Sequence, residues 1–211
     1  MFIDRTDAGK QLAKSLTSYK GKNVVVLGIP RGGVVVSKEV AKALNVPMDL
    51  VIPRKIGAPG NPELAIGALA SKDTVMINEQ LKNSLRVSDD YIKEEIEKQA
   101  LEIERRRDKY LGSRPPLDLK DKVVILVDDG LATGYTASVA IKEVRAKRPK
   151  KLILAVPVSP KDTYGRLKKE VDELVCLHTP EFFYAVGQFY SNFPQTTDDE
   201  VIKVLNEYSV E

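Results

Sequence analysis

Short apolar runs in this chain alternate with segments whose apolar residues recur at helical spacing. Residues 123–127 (V-V-I-L-V) form an unbroken, mostly β-branched run, the pattern of a strand buried on both faces in a parallel sheet. Residues 24–27, 152–156 and 173–177 read the same way, and 47–53 reads as a strand bounded by prolines. Two further strands are predicted at 64–70 and 74–77, flanking a turn at Ser71-Lys72-Asp73. Helical spacing appears at 6–19, with Ala8, Leu12, Ala13 and Leu16 on one face, and again through Val34, Val40, Ala41 and Leu44. It returns near Thr136 with Val139, Ala140, Ile141 and Val144. Ser159-Pro160 stands in the Ser-then-Pro order of a helix start, and Thr197-Asp198-Asp199-Glu200 is a capping box for a terminal helix.

Residues 88–111 predict a long helix with acids in the first turn and Arg105, Arg106, Arg107 and Lys109 in the last, agreeing with the dipole. Glu94–Lys98 and Glu102–Arg106 have i,i+4 spacing. Its apolar stripe (Ile92, Ile96, Ile103, Tyr110) is thin, which predicts a surface helix or one packed on a partner subunit. Strands alternating with helices predict an α/β fold, a doubly wound and mainly parallel sheet, with the site at the strands' carboxyl ends.

Composition narrows the class. A chain of 211 residues, without repeats or low-complexity stretches, is expected to form one domain over 1–211. Thirty-three basic and 30 acidic residues give a net charge of +3, too balanced to call for nucleic acid or an anionic membrane. No apolar run reaches bilayer length and no signal peptide opens the chain, so a soluble cytoplasmic protein is expected. Cys176 is the only cysteine, which excludes an intramolecular disulfide and a cysteine-based zinc site; it reads as an inert core residue. The 30% charged content points weakly to a heat-adapted source.

The chemistry gathers after residue 127. Asp128 and Asp129 stand where the strand ends, and Gly130, Thr133 and Gly134 let the backbone turn into the next helix. Such a turn offers unpaired N–H groups and a positive dipole end, which suits a phosphate. Neither G-x-G-x-x-G spacing nor a Gly-Lys-Ser/Thr is present here. The acids add acceptors for vicinal hydroxyls, so the combination describes a ribose 5-phosphate site. Residues 28–33 (G-I-P-R-G-G) repeat the logic, with Arg31 and the N–H groups of Gly32 and Gly33 as a second anion site. Arg54 and Lys55 precede 56–62, a segment that looks too rich in Gly and Pro to be regular. Arg5 reads as an exposed basic group without an evident partner, and His178 ends the last core strand.

The run from Val123 to Thr136 resembles the 5-phosphoribosyl-1-pyrophosphate (PRPP) signature of the type I phosphoribosyltransferases: apolar strand, two acids, two variable residues, a small residue, Thr, Gly, any residue, Thr. The resemblance covers about 22–178 and is greatest to a prokaryotic group whose acceptor family membership leaves open. It implies that Asp128 and Asp129 hold the ribose hydroxyls. Gly130, Leu131, Ala132, Thr133, Gly134 and Thr136 would wrap the 5′-phosphate, and Arg31, Gly32 and Gly33 would grip pyrophosphate. Arg54 or Lys55 would neutralise the leaving group from a mobile loop over the reacting centre. Asp129, Arg31, Arg54 and Lys55 are then the catalytic candidates. Mg²⁺ is implied through PRPP, with Asp128 and Asp129 as indirect metal residues. A hood is implied from 1–21, from 179–196 or from both, and 88–111 becomes a helical insertion.

The implied activity is transfer of ribose 5-phosphate from PRPP-Mg²⁺ to a nitrogen nucleophile, with a homodimer as the expected state. Six aromatics lie within 180–194, and they either pack on the domain or stack an acceptor ring. In 6-oxopurine enzymes an acid precedes the Thr-Gly; here Ala132 does, which argues against hypoxanthine and guanine. Ala-Thr-Gly is similar to the adenine enzymes. The alternative is a PRPP-binding regulator without turnover; PRPP synthesis is disfavoured, since family synthetases use two such domains in tandem.

Overall fold

In a computed structural model, which describes residues 1–208, the apolar runs become a five-stranded, all-parallel sheet of order β2-β1-β6-β7-β8. The strands are β1 (Val24–Gly28), β2 (Met48–Leu50), β6 (Val123–Val127), β7 (Lys151–Val158) and β8 (Glu173–His178). Alternation within β1 and β6 divides two apolar layers. Val24, Val26, Ile125 and Val127 face α1 (Arg5–Lys14), α2 (Gly32–Leu44) and α7 (Asp198–Glu207). Val25, Leu27, Val124 and Leu126 face α5 (Tyr135–Ala146), and Leu167 of α6 (Lys161–Leu167) joins that layer. The sheet is thus wound on both faces.

A second sheet, antiparallel and ordered β3-β4-β5, stands beside the first. It comprises β3 (Arg54–Ala58), β4 (Asn61–Ser71) and β5 (Thr74–Ile77). The segment 56–62 is therefore not irregular. Its glycines sit at pairing irregularities around Gly57 and at the turn, where Gly60 has φ +73°. Pro62 lies outside the stretch of β4 that β5 pairs with, where a missing N–H is tolerated.

Helix α3 (Glu79–Ser84) leads to α4 (Asp89–Leu111), whose N-cap Ser88 accepts the Tyr91 N–H. α4 lies at the surface, with Lys93, Glu97, Leu101 and Arg105 exposed, and its thin stripe is covered within this chain. Ile92 and Ala100 pack with Ile56, Ile66 and Leu69 of the second sheet, while Tyr110 and Leu111 enter the α2/α7 layer. Arg106 meets Glu102 at 2.8 Å, as its spacing predicts, whereas Lys98 turns to Glu95 (3.3 Å) rather than Glu94.

Three boundaries differ from expectation. The helix over 6–19 is α1 plus a separate 3₁₀ turn at Thr17–Tyr19. The strand over 47–53 is ladder-paired only at Met48–Leu50. Ser159 does not cap α6: it is buried and donates to Pro160 O, and Pro160 holds the N-cap position. The capping box of Thr197 and Glu200 is formed. Cys176 is half-buried on the edge strand β8, its thiol pKa pushed up to about 11 by burial. No helix among the described residues is long and apolar enough to cross a membrane.

Asp198 ties α7 to α4, accepting from Lys109 (2.8 Å) and Tyr110 (2.7 Å), and these bonds hold its pKa at about 2. Arg105 and Arg106 hold Glu102 at about 2 as well. A depressed carboxylate stabilises the fold above its unfolded pKa, and that stability is lost as pH falls through the folded value. Urea midpoints are therefore expected to drop between pH 4.5 and 2, and Asp198→Asn should flatten part of that drop. An equal slope in wild type and variant would contradict this.

Candidate active site

β1 and β6 are neighbours, with Gly28 opposite Val127, so their turns leave the sheet side by side. From β1 the chain crosses through α2 to β2 on one side, and from β6 through α5 to β7 on the other. The crevice between such diverging crossovers is where open α/β sheets bind ligands.

The β6 turn is built to present N–H groups. Gly134, the N-cap of α5, has φ +75°, and no side chain caps the helix. The Leu131 N–H is spent on Val158 O, and the Leu131 side chain is buried, so this residue shapes the loop. Thr163 Oγ1 donates to Ala132 O (2.7 Å) and Arg166 to Thr133 O (2.5 Å), which occupies the carbonyls of the loop. Among the described residues no acceptor takes the N–H groups of Thr133, Gly134, Tyr135 or Thr136. Ala132 and Thr133 are exposed beside an open cavity of about 550 Å³ that Arg166, Phe183 and Tyr184 also line.

The β1 turn packs on the acids. Cβ atoms added at Gly32 or Gly33 would strike the Asp129 carboxylate or the Asp128 backbone, so only glycine allows this approach. Arg31 is the N-cap of α2 without a capping bond, and the Pro30–Arg31 peptide is cis. Its guanidinium lies 3.6 Å from Asp198.

Asp128 Oδ1 accepts the Asp129 N–H at 2.8 Å, and its carboxyl is held well above the usual range by burial and then by the adjacent Asp129. Asp129 Oδ2 accepts from Arg5 Nε at 2.7 Å, in a pair whose side chains are only 16% and 10% exposed. Arg5 is therefore not an exposed group without a partner. It also donates to Pro194 O (2.7 Å), and its guanidinium carbon stands 3.7 Å above the Phe193 ring. Tyr190 donates to Asp129 O at 2.6 Å, its hydroxyl pKa raised by burial and then by Asp129. Phe2 pairs with Tyr190 in a single β-bridge, so the chain start and 186–194 form one aromatic layer against the acids.

The structure thus brings together Asp128, Asp129, Gly32, Gly33 and the 130–136 turn. It does not bring Arg54 there: Arg54 Nε donates to Gln99 on α4 (2.9 Å), and burial, followed by Arg106, lowers its pKa. Lys55 is exposed on β3. His178 is exposed, with its ring 5.3 Å from Phe2. Thr163 and Arg166 were not marked by the sequence; Arg5 was marked only as a basic group without a partner, and Tyr190 only as one of the aromatics of 180–194. Arg5 and Tyr190 meet Asp129 across 124 and 61 residues of chain, and local patterning carries no such signal.

Gly134→Ala tests the turn. Its Cβ would press on Arg166 and Thr163 and adopt a left-handed φ, a strain of about 1–2 kcal/mol. The expected result is a melting temperature lower by several degrees, read by circular dichroism. An unchanged value would show that the turn relaxes freely.

Comparisons with known proteins agree with this architecture. A family profile described as phosphoribosyl transferase domain matches residues 4–194. A protein from Mycobacterium tuberculosis H37Rv, named for phosphoribosyl transferases, is 44% identical over 206 residues, 98% of this chain and 46% of its own length. The chain therefore spans about half of the curated relatives it matches. The crystal structure of TT1426 from Thermus thermophilus superposes with a TM-score of 0.82 at 39% identity, covering 99% of both chains. A purine phosphoribosyltransferase from Pyrococcus horikoshii shares the fold at 21% identity and a TM-score of 0.50, over 92% of this chain and 89% of its own. With its profile match, its paired glycine turns and its acidic pair, the chain belongs to the phosphoribosyl transferase domain family.

Proposed function

We propose that this chain binds PRPP-Mg²⁺ at the β1/β6 crevice and transfers its ribose 5-phosphate to a nitrogen nucleophile. One observation carries the reading: two glycine turns meet around two adjacent carboxylates, one of them offering a run of unspent N–H groups. In this reading the N–H groups of Thr133 to Thr136 take the 5′-phosphate, as a helix start takes an anion. Asp128 and Asp129 accept from the ribose diol. Gly32 and Gly33, with Arg31, hold the pyrophosphate oxygens, where fixed donors stabilise the charge that develops as it leaves.

Chemically, the C1′–O bond to pyrophosphate breaks with its electron pair leaving on oxygen, and the acceptor nitrogen's lone pair forms the new C1′–N bond. In this reading Asp129 also receives the acceptor's proton. Two adjacent carboxylates beside a pyrophosphate suit Mg²⁺, which takes few protein ligands and completes its shell with substrate oxygens and water. When bound, the ion would neutralise the leaving group. Partial burial of Asp128 and the Arg5 contact to Asp129 fit indirect rather than full protein coordination, and no cluster of three potential ligands is found among the described residues.

Tyr184, 88% exposed, and the half-buried Phe183 line the cavity beside Ala132 and Thr133, and a planar heterocycle stacking there is the favoured acceptor. Residues 22–178 act as the core, and 1–21 with 179–196 as a joint hood. Leu101, 60% exposed on α4, is an apolar spot that a second copy would cover in a homodimer. The test is pyrophosphate release from PRPP-Mg²⁺ against a panel of adenine, guanine, hypoxanthine and pyrimidine bases, with release expected for one class only. A second reading, PRPP binding without turnover, is favoured by the tether of Arg54 to Gln99, which draws a leaving-group cation aside. PRPP binding with no release for any base would establish that second reading.

A further inference from the structure

A second cavity, of about 400 Å³, opens on the α5 face of the sheet at its β2 edge and shares no lining residue with the glycine turns. Its walls are mostly apolar: Leu27 from β1, Val51 just after β2, Ile103 from α4 and Val144 from α5, with the 116–119 segment closing one side. That volume falls in the range of small-molecule sites.

The charges around it are already engaged, with one exception. Asp49 accepts the N–H groups of Leu50 (2.7 Å) and Leu117 (2.9 Å), one on each carboxylate oxygen. Glu143 accepts from Ser71 (2.8 Å) and pairs with Lys147 (3.3 Å). Asp118, exposed at the rim, accepts from Lys120 N–H (3.0 Å). Arg107 is the exception: its Nη2 is buried and has no hydrogen-bond partner among the described residues. A buried guanidinium N–H without an acceptor is costly, and nothing in the cavity's apolar walls relieves it.

We propose that this cavity is a second ligand site, which takes a small organic anion: one carboxylate on Arg107, carried on an apolar body that fills the walls. The inference does not depend on the transferase reading. An anion alone would leave the apolar walls wet, and an apolar body alone would leave Arg107 unpaired. Both features together select the amphipathic class.

Calorimetry on the full chain with 2-naphthoate and with octanoate tests it, with 2-naphthalenemethanol and inorganic phosphate as controls. One anion bound per chain is expected from at least one of the two bodies, flat or aliphatic, with neither control matching it. Arg107→Gln should weaken binding at least tenfold without lowering the melting temperature, since Nη2 makes no bond to lose. Arg107→Lys should restore part of the affinity, and Ala70→Phe, which fills the cavity, should remove binding. The proposal falls if neither anion binds, if Arg107→Gln binds as tightly as wild type, or if phosphate alone binds as well as the organic anions.

Discussion

Asp128→Asn is expected to weaken PRPP binding and, at the same time, to raise the melting temperature of the free protein. The two effects have one cause. Asp128 is half-buried beside Asp129, and both its loss of water and the neighbour's charge push its pKa up. For an acid with a raised pKa the folded state holds its proton more tightly than the unfolded chain. Its charge therefore costs stability above that folded value, and the cost disappears as pH falls through it. Asparagine removes the charge yet keeps an oxygen for the Asp129 N–H. A gain of about 1 kcal/mol is typical when a strained functional group is neutralised, which is roughly 2–4 °C in a chain of this size. In the proposed mode of binding, the same change replaces a charged acceptor for the ribose diol with a neutral one. Hydrogen bonds to charged groups contribute about 1.5–3 kcal/mol, so affinity should fall about 10- to 100-fold. Calorimetry and thermal melting on one preparation read both numbers. A variant that melts lower and binds as before would refute the placement.

Arg5→Ala is expected to give the largest loss of stability of any single change at the site. Arg5 is enclosed by Asp129, Pro194 O and the Phe193 ring, so its removal leaves a mostly buried carboxylate without its cation and an aromatic face without its cover. Breaking one side of a buried ion pair costs about 3–5 kcal/mol. The slight exposure of this pair argues for the lower end. Urea denaturation should therefore show a loss of about 3 kcal/mol. The aromatic layer around Tyr190 should loosen with it, since Phe193 packs on that ring at 4.7 Å. A loss below about 0.5 kcal/mol, the range of an ordinary surface substitution, would mean that Asp129 finds water or another donor.

The parallel sheet was legible because strands buried on both faces must be continuously apolar, and Val24–Leu27 and Val123–Val127 are. The turns were legible for a related reason. Gly32 and Gly33 are required where backbone and carboxylate approach too closely for a Cβ, and that need is written at a single position. Capping at Thr197 was legible because donor and acceptor are three residues apart. What escaped was whatever depended on distant chain. Glycine and proline in 56–62 marked bulges and a turn within a hairpin, and only the pairing of β3 with β4 reveals that they punctuate strands. The stripe of α4 looked thin because its partner is a small second sheet and because Tyr110 and Leu111 serve a different layer. Arg5 looked solvated because an arginine near an N-terminus carries no sign of the acid it meets 124 residues later. Arg54 looked available for the same reason, since Gln99 lies on a helix 45 residues away.

The most direct measurement is calorimetric titration of PRPP with Mg²⁺ into the wild-type chain and into the double variant Asp128→Asn/Asp129→Asn, each checked by circular dichroism. One PRPP per wild-type chain, with no detectable binding to a folded double variant, is the predicted result. Equal affinity for the two proteins, or no binding to the wild type, would contradict a sugar-phosphate site at the end of β6.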